Sequence, residues 1–87
     1  MPDLMPPRRE RLEILGEVNS PSFVPWIKRH SGRLGLEASA FSVAPGRIGV
    51  TVAGQPDLID ALEVGCLLGP IDVWVSAIDR APVADLI

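Results

Sequence analysis

Gly16-Glu-Val-Asn-Ser-Pro-Ser-Phe-Val-Pro-Trp26 changes its hydrophobic period halfway along, and that change decides the fold. Upstream, Leu12, Ile14, Gly16 and Val18 alternate with Glu13, Leu15 and Glu17, the signature of a strand with one buried face. Downstream, Phe23, Trp26, Ile27, His30 and Leu34 recur at intervals of three and four, which predicts a helix. Between them stand Asn19-Ser-Pro-Ser22, four turn or cap formers in a row. Ser22 is placed to cap the helix, Pro25 is tolerated in its first turn, and Gly35 is a left-handed stop after Leu34.

Further along, Leu36–Val43 reads as a weaker strand, with small Ala38, Ser39 and Ala40, and with Phe41 and Val43 on the face opposite Leu36. Pro45-Gly46 turns the chain into a second strand, Arg47–Gly54, where Ile48, Val50 and Val52 alternate with Gly49, Thr51 and Ala53. Pro56 suits a first helical position, and Asp57 and Asp60 favour the positive end of a helix dipole. Leu58, Ala61, Leu62, Gly65 and Cys66 give that helix its apolar stripe, and Gly69-Pro70 ends it. A last strand spans Ile71–Ile78, with Ile71, Val73, Val75 and Ala77 on one face and Trp74 and Ile78 on the other.

The order is β-α-β-β-α-β. It predicts an α+β, ferredoxin-like sandwich, two helices on one face of a four-stranded antiparallel sheet. Residues 1–10, rich in proline, read as a flexible leader in which Arg8 and Arg9 are solvated. Residues 11–80 form the domain and 81–87 a tail.

Composition narrows the chemistry. Eighty-seven residues allow one modest core, about 60% of the unfolded surface being buried at this size. One cysteine, Cys66, excludes an internal disulfide, and one Cys with one His falls short of the four ligands of a structural zinc site. No metal and no cofactor is expected. A formal charge of −3 disfavours nucleic-acid binding, and neither Leu12–Val18 nor Arg47–Gly54 carries an aromatic on which a base would stack. No apolar run is long enough for a membrane span, so a soluble cytoplasmic protein is expected. His30, Trp26 and Cys66 read as core, and Asp57, Asp60 and Glu63 as a solvated acidic face.

The chain resembles the acylphosphatase family, whose first signature runs G-x-V-Q-G-V-G-F-R-P-F. Gly16, Val18, Phe23 and Pro25 match it. The second, G-L-x-G-W-V-R-N followed by a turn and G-R-V-x-V, meets Gly35-Leu36 and then Pro45-Gly46-Arg47-Ile48-Gly-Val50 without a gap. Gly54-Gln-Pro56 and Gly69-Pro70 continue the likeness, which covers about Leu12 to Ile78. It implies hydrolysis of acyl phosphates, with loop amides and an arginine holding the phosphoryl oxygens and an asparagine orienting water.

By position that arginine falls on Val24 and that asparagine on Ser42, so no catalytic residue is assigned. Valine offers neither charge nor donor, and one lost preorganised donor costs about 3–4 kcal/mol in rate terms. Ser20 and Ser22 stand where the family has glycines, and Pro21 has no N–H. The resemblance therefore implies a domain that has lost hydrolysis and serves as a binding or protein-interaction module. The alternatives are an acylphosphatase of weak or atypical activity, using an anion loop of Asn19, Ser20, Ser22 and Phe23, and a small-ligand regulatory domain. Leu15, Trp74 and Ile78, expected together on the face away from the helices, are the candidate surface for a homodimer or a protein partner; a tail folded back over them is the alternative.

Overall fold

The computed structural model describes residues 6–83. Its elements run β1 (Arg8–Glu17), α1 (Phe23–Arg33), β2 (Glu37–Ala44), β3 (Arg47–Gly54), α2 (Pro56–Leu68) and β4 (Trp74–Pro82). The four strands form one antiparallel sheet in the order β2-β3-β1-β4, and the helices pack on one face of it. This is the ferredoxin-like sandwich that the alternation predicts.

The two central strands obey simple alternation, because each is held by a neighbour on both sides. Leu12 pairs with Val50 and Ile14 with Ile48, and all four side chains are buried beneath Phe23 and Ile27 of α1 and Ile59, Leu62 and Cys66 of α2. Strand β1 starts at Arg8, three residues ahead of the expected boundary, since Arg8–Glu10 pair with Gly54, Ala53 and Val52 of β3. Arg8 and Arg9 are exposed strand residues there.

Each edge strand carries a bulge, and both bulges overturn an expected facing. In β4, Ala77 pairs with Leu15 and Val75 with Gly16, leaving Ser76 without a partner across the ladder. One extra residue reverses the alternation beyond it. Val75 and Ile78 therefore both pack on the core, while Trp74 lies outside at 71% exposure. Gly16 makes the bulge possible: at φ +139° it lies so close to β4 that a Cβ would strike the Trp74 carbonyl and the Ser76 amide. The Ser76 hydroxyl donates to the Leu15 carbonyl oxygen at 3.1 Å.

In β2, Ser39 pairs with Thr51 and Ser42 with Gly49, so Ala40 and Phe41 together oppose Val50. Ala40 takes φ +52°, and Phe41 returns to the helix side beside Ala38. The expectation that Phe41 lies opposite Leu36 fails for that reason.

Two loop expectations also change. The last strand begins at Trp74, not Ile71, because Ile71 and Asp72 turn the chain; it continues through Ala81 and Pro82, and the Val83 amide donates to the Arg9 carbonyl at 2.9 Å. Residues 84–87 of the expected tail and 1–5 of the expected leader lie outside the described residues. Helix α1 ends as expected: Gly35 at φ +77° closes a Schellman motif, with Leu36 N–H on Ser31 O and Gly35 N–H on Gly32 O. Among the described residues no helix is long and apolar enough to cross a membrane.

Candidate functional site

The loop from Glu17 to Ser22 is fastened at both sides. Asn19 clamps the β2–β3 turn, its Nδ2 donating to Ala44 O at 2.9 Å and its Oδ1 accepting from Gly46 N–H at 2.6 Å. The Gly16 amide adds a bond to Gly46 O at 3.1 Å. On the other side stands Asp72, from the turn before β4. Its carboxylate accepts from the Ser22 hydroxyl at 2.9 and 3.1 Å and from the Ser20 hydroxyl, and the two hydroxyls lie 3.0 Å apart. These bonds to the ionised form hold the Asp72 carboxyl below the usual carboxylate range.

Ser22 consequently does not cap α1 with its side chain; its hydroxyl is turned to Asp72. Of the expected anion loop of Asn19, Ser20, Ser22 and Phe23, the amides of Ser22 and Phe23 are engaged from within. The Phe23 amide donates to Ser20 O and the Ser22 amide to Ser20 Oγ, the Phe23 side chain is buried in the core, and Pro21 brings no donor.

Val24 and Ser42 are not brought together. Val24 lines an apolar hollow on the helix side of the sheet with Pro21, Val43 and Ile48. Ser42 projects from the other face, over Gly49, where its Oγ accepts from Arg11 Nη2 at 2.8 Å. That guanidinium spans three strands: Nη1 donates to Ala40 O at 2.6 Å and Thr51 Oγ1 at 3.1 Å, and Nε to Glu13 at 3.1 Å. Arg47 binds the second Glu13 oxygen at 2.8 Å and, with Arg11, keeps the Glu13 carboxyl below its ordinary range.

The open face carries the paired charges of Arg11, Glu13 and Arg47. Leu15 and Trp74 lie on it, but Ile78, cross-strand from buried Ile14, faces the helices. The Ser76 bulge divides the expected interaction face Leu15, Trp74 and Ile78 between the two sides of the sheet.

Elsewhere, the His30 ring stacks on Trp26 with centroids 4.9 Å apart and packs over Gly65 of α2. Cys66 is buried, and desolvation pushes its thiol up to about 12. Asp60 and Glu63 are not merely solvated. They bind Arg80 Nη1 at 2.7 and 2.8 Å, because α2 lies over the β4 edge from which Arg80 projects. Among the described residues no group of three or more His, Cys, Asp or Glu is placed to hold a metal.

Reading residues one at a time missed Asp72 and Arg11. Asp72 meets the loop because the start of β4 pairs with the end of β1, Trp74 against Glu17, a consequence of strand order that no local motif announces.

This architecture is that of a known class. The structure superposes on an acylphosphatase from Coxiella burnetii with a TM-score of 0.82 at 18% identity, covering 90% of this chain and 82% of that one. An acylphosphatase from Bacillus subtilis gives 0.79 at 15% identity, covering 90% and 87%. Full-length HypF in its phosphate- and nucleotide-bound form gives 0.79 at 18%, this chain spanning 10% of its length. No family model and no curated protein matches the sequence. The chain has the acylphosphatase fold.

Proposed function

We propose that this is an acylphosphatase-like domain that does not hydrolyse acyl phosphates and acts as a binding module. The observation that carries the reading is Asp72: a carboxylate fixed by Ser20 and Ser22 at the start of α1, where an incoming phosphoryl group would need donors and positive charge. Val24 supplies no cation, and Ser42 is held on the far side of the sheet by Arg11. A reducing cytosol suits the single buried thiol of Cys66.

Acetyl phosphate hydrolysis tests the reading. The wild type is expected to show no turnover above the uncatalysed rate. The Val24→Arg, Ser42→Asn double variant is expected to remain inactive, since the two positions face opposite sides of the sheet and Asp72 still repels the substrate. Turnover by the wild type at about 1 s⁻¹ or more, within the range of ordinary enzymes, overturns it.

A further inference from the structure

Two hollows share Asn19 and Ser20 as lining residues. The first, of about 460 Å³, is bounded otherwise by Gly16, Glu17, Gly46 and Asp72. The second, of about 240 Å³, is bounded by Pro21, Val24, Val43 and Ile48. The charged residues lining the first are both acidic, the second is lined by no charged residue, and no Arg, Lys or His lines either.

Asp72 can accept another donor. A carboxylate has about four lone-pair sites, and the hydroxyls of Ser20 and Ser22 fix its orientation without supplying a counter-charge. Val43 shows the same incompleteness on the apolar side. It pairs with buried Ile48, yet it is 63% exposed at the rim of the second hollow. That hollow lies below the ~300–1,000 Å³ of sites for drug-sized ligands, which limits the apolar part of a ligand to a few carbons.

We propose that the paired hollows bind a small primary ammonium ion with a short branched aliphatic tail, the ammonium on Asp72 and the tail between Val24 and Val43. The inference rests on the binding-module reading and gives that module a ligand class. Its polarity is opposite to that of a phosphoryl site. An ammonium brings three donors to a carboxylate that has only neutral ones, and the tail covers a rim left open to water.

The test uses 3-methylbutylammonium as probe, with 3-methylbutanoate, 3-methylbutanol and methylammonium as its charge-reversed, neutral and tail-less counterparts. Backbone amide shifts of Ser20, Val24, Val43 and Asp72 are followed by ¹H–¹⁵N NMR. A ligand of so few atoms is expected to saturate with a Kd of about 1 mM, each of the three counterparts binding about tenfold more weakly or worse. Asp72→Asn should weaken the ammonium about tenfold and erase its advantage over the alcohol. Val43→Ser, at an exposed position, should weaken it severalfold while the spectrum stays folded.

Equal or tighter binding of the carboxylate overturns the proposal. So does an ammonium that moves no loop amide at about 10 mM, or whose affinity survives Asp72→Asn in a folded protein. Methylammonium binding as tightly as the probe removes the role of the apolar hollow and overturns it as stated. Acetyl phosphate hydrolysis in the same samples keeps the two readings apart. Turnover refutes the binding-module reading, whereas no turnover with no ammonium binding refutes this inference alone.

Discussion

The two ends of β1 each lie beside a carboxylate, and the two are answered differently. At the N-terminal end Glu10, 5% exposed, takes a two-pronged bond from Arg80, Nε to Oε1 at 2.8 Å and Nη2 to Oε2 at 3.1 Å. The same guanidinium reaches Asp60 and Glu63 on α2, tying helix to sheet. At the C-terminal end Asp72 is exposed and is met by two hydroxyls. The first carboxylate is neutralised in place; the second keeps its charge on offer. That difference separates a carboxylate buried with its counter-charge from one left open to solvent.

Removing the cation at the first end should break the contrast most severely. Arg80→Met leaves Glu10 buried without a counter-charge and sets Asp60 and Glu63 facing it. A loss of about 3 kcal/mol is expected, at the low end for broken buried pairs because Asp60 opens to water. Urea unfolding measures it. The Glu10→Leu, Arg80→Met double variant should recover to within about 1 kcal/mol of wild type, since an apolar pair of similar volume avoids the desolvation of both charges. If Arg80→Met alone is neutral, Glu10 is not held as described and the two ends are alike.

The next effect falls on the bulge that sets the second end. Gly16→Ala places a Cβ against the Trp74 carbonyl and Ser76 amide at a φ that L residues rarely adopt, with an expected cost of about 1–3 kcal/mol. Because Gly16 also donates to the β2–β3 turn and adjoins the loop, amide shifts should spread to Asn19, Ser20 and Asp72 while the Glu10–Arg80 end stays unchanged. Perturbation reaching both ends equally would show that β1 does not insulate one from the other.

The bulges also explain which parts of the molecule were legible in sequence. Strands β1 and β3 could be read residue by residue, because partners on both sides enforce period two along Leu12, Ile14, Ile48, Val50 and Val52. The edge strands have one partner each, so Ser76 and the Ala40–Phe41 pair can be inserted at the cost of one ladder position. A single inserted residue moved Ile78 from the open face to the core, and no composition signal marks it. At the loop, the residue types at Val24 and Ser42 could be named from order alone, but their placement on opposite faces could not. Asp72 lies 50 residues from Ser22, and only the pairing of β1 with β4 unites them. Arg11 was hidden for the same reason: its partners belong to three strands.

The smallest expected effect is the most direct test of how Asp72 is held. Its carboxyl is depressed in the folded protein because the Ser20 and Ser22 hydroxyls donate to the ionised form. A depressed folded pKa contributes stability above the unfolded value of about 3.9 and loses it as the pH falls through the folded value. Wild type should therefore melt slightly above Asp72→Asn at neutral pH, and the two curves should converge once the pH has fallen through the depressed folded value. Solvent around the exposed carboxylate keeps the gap small, smaller than that of either variant above. A gap that persists unchanged into acid would mean that the substituted amide fails for reasons of shape rather than charge. The second end of β1 would then be a packed corner, with no carboxylate held ready for a cation.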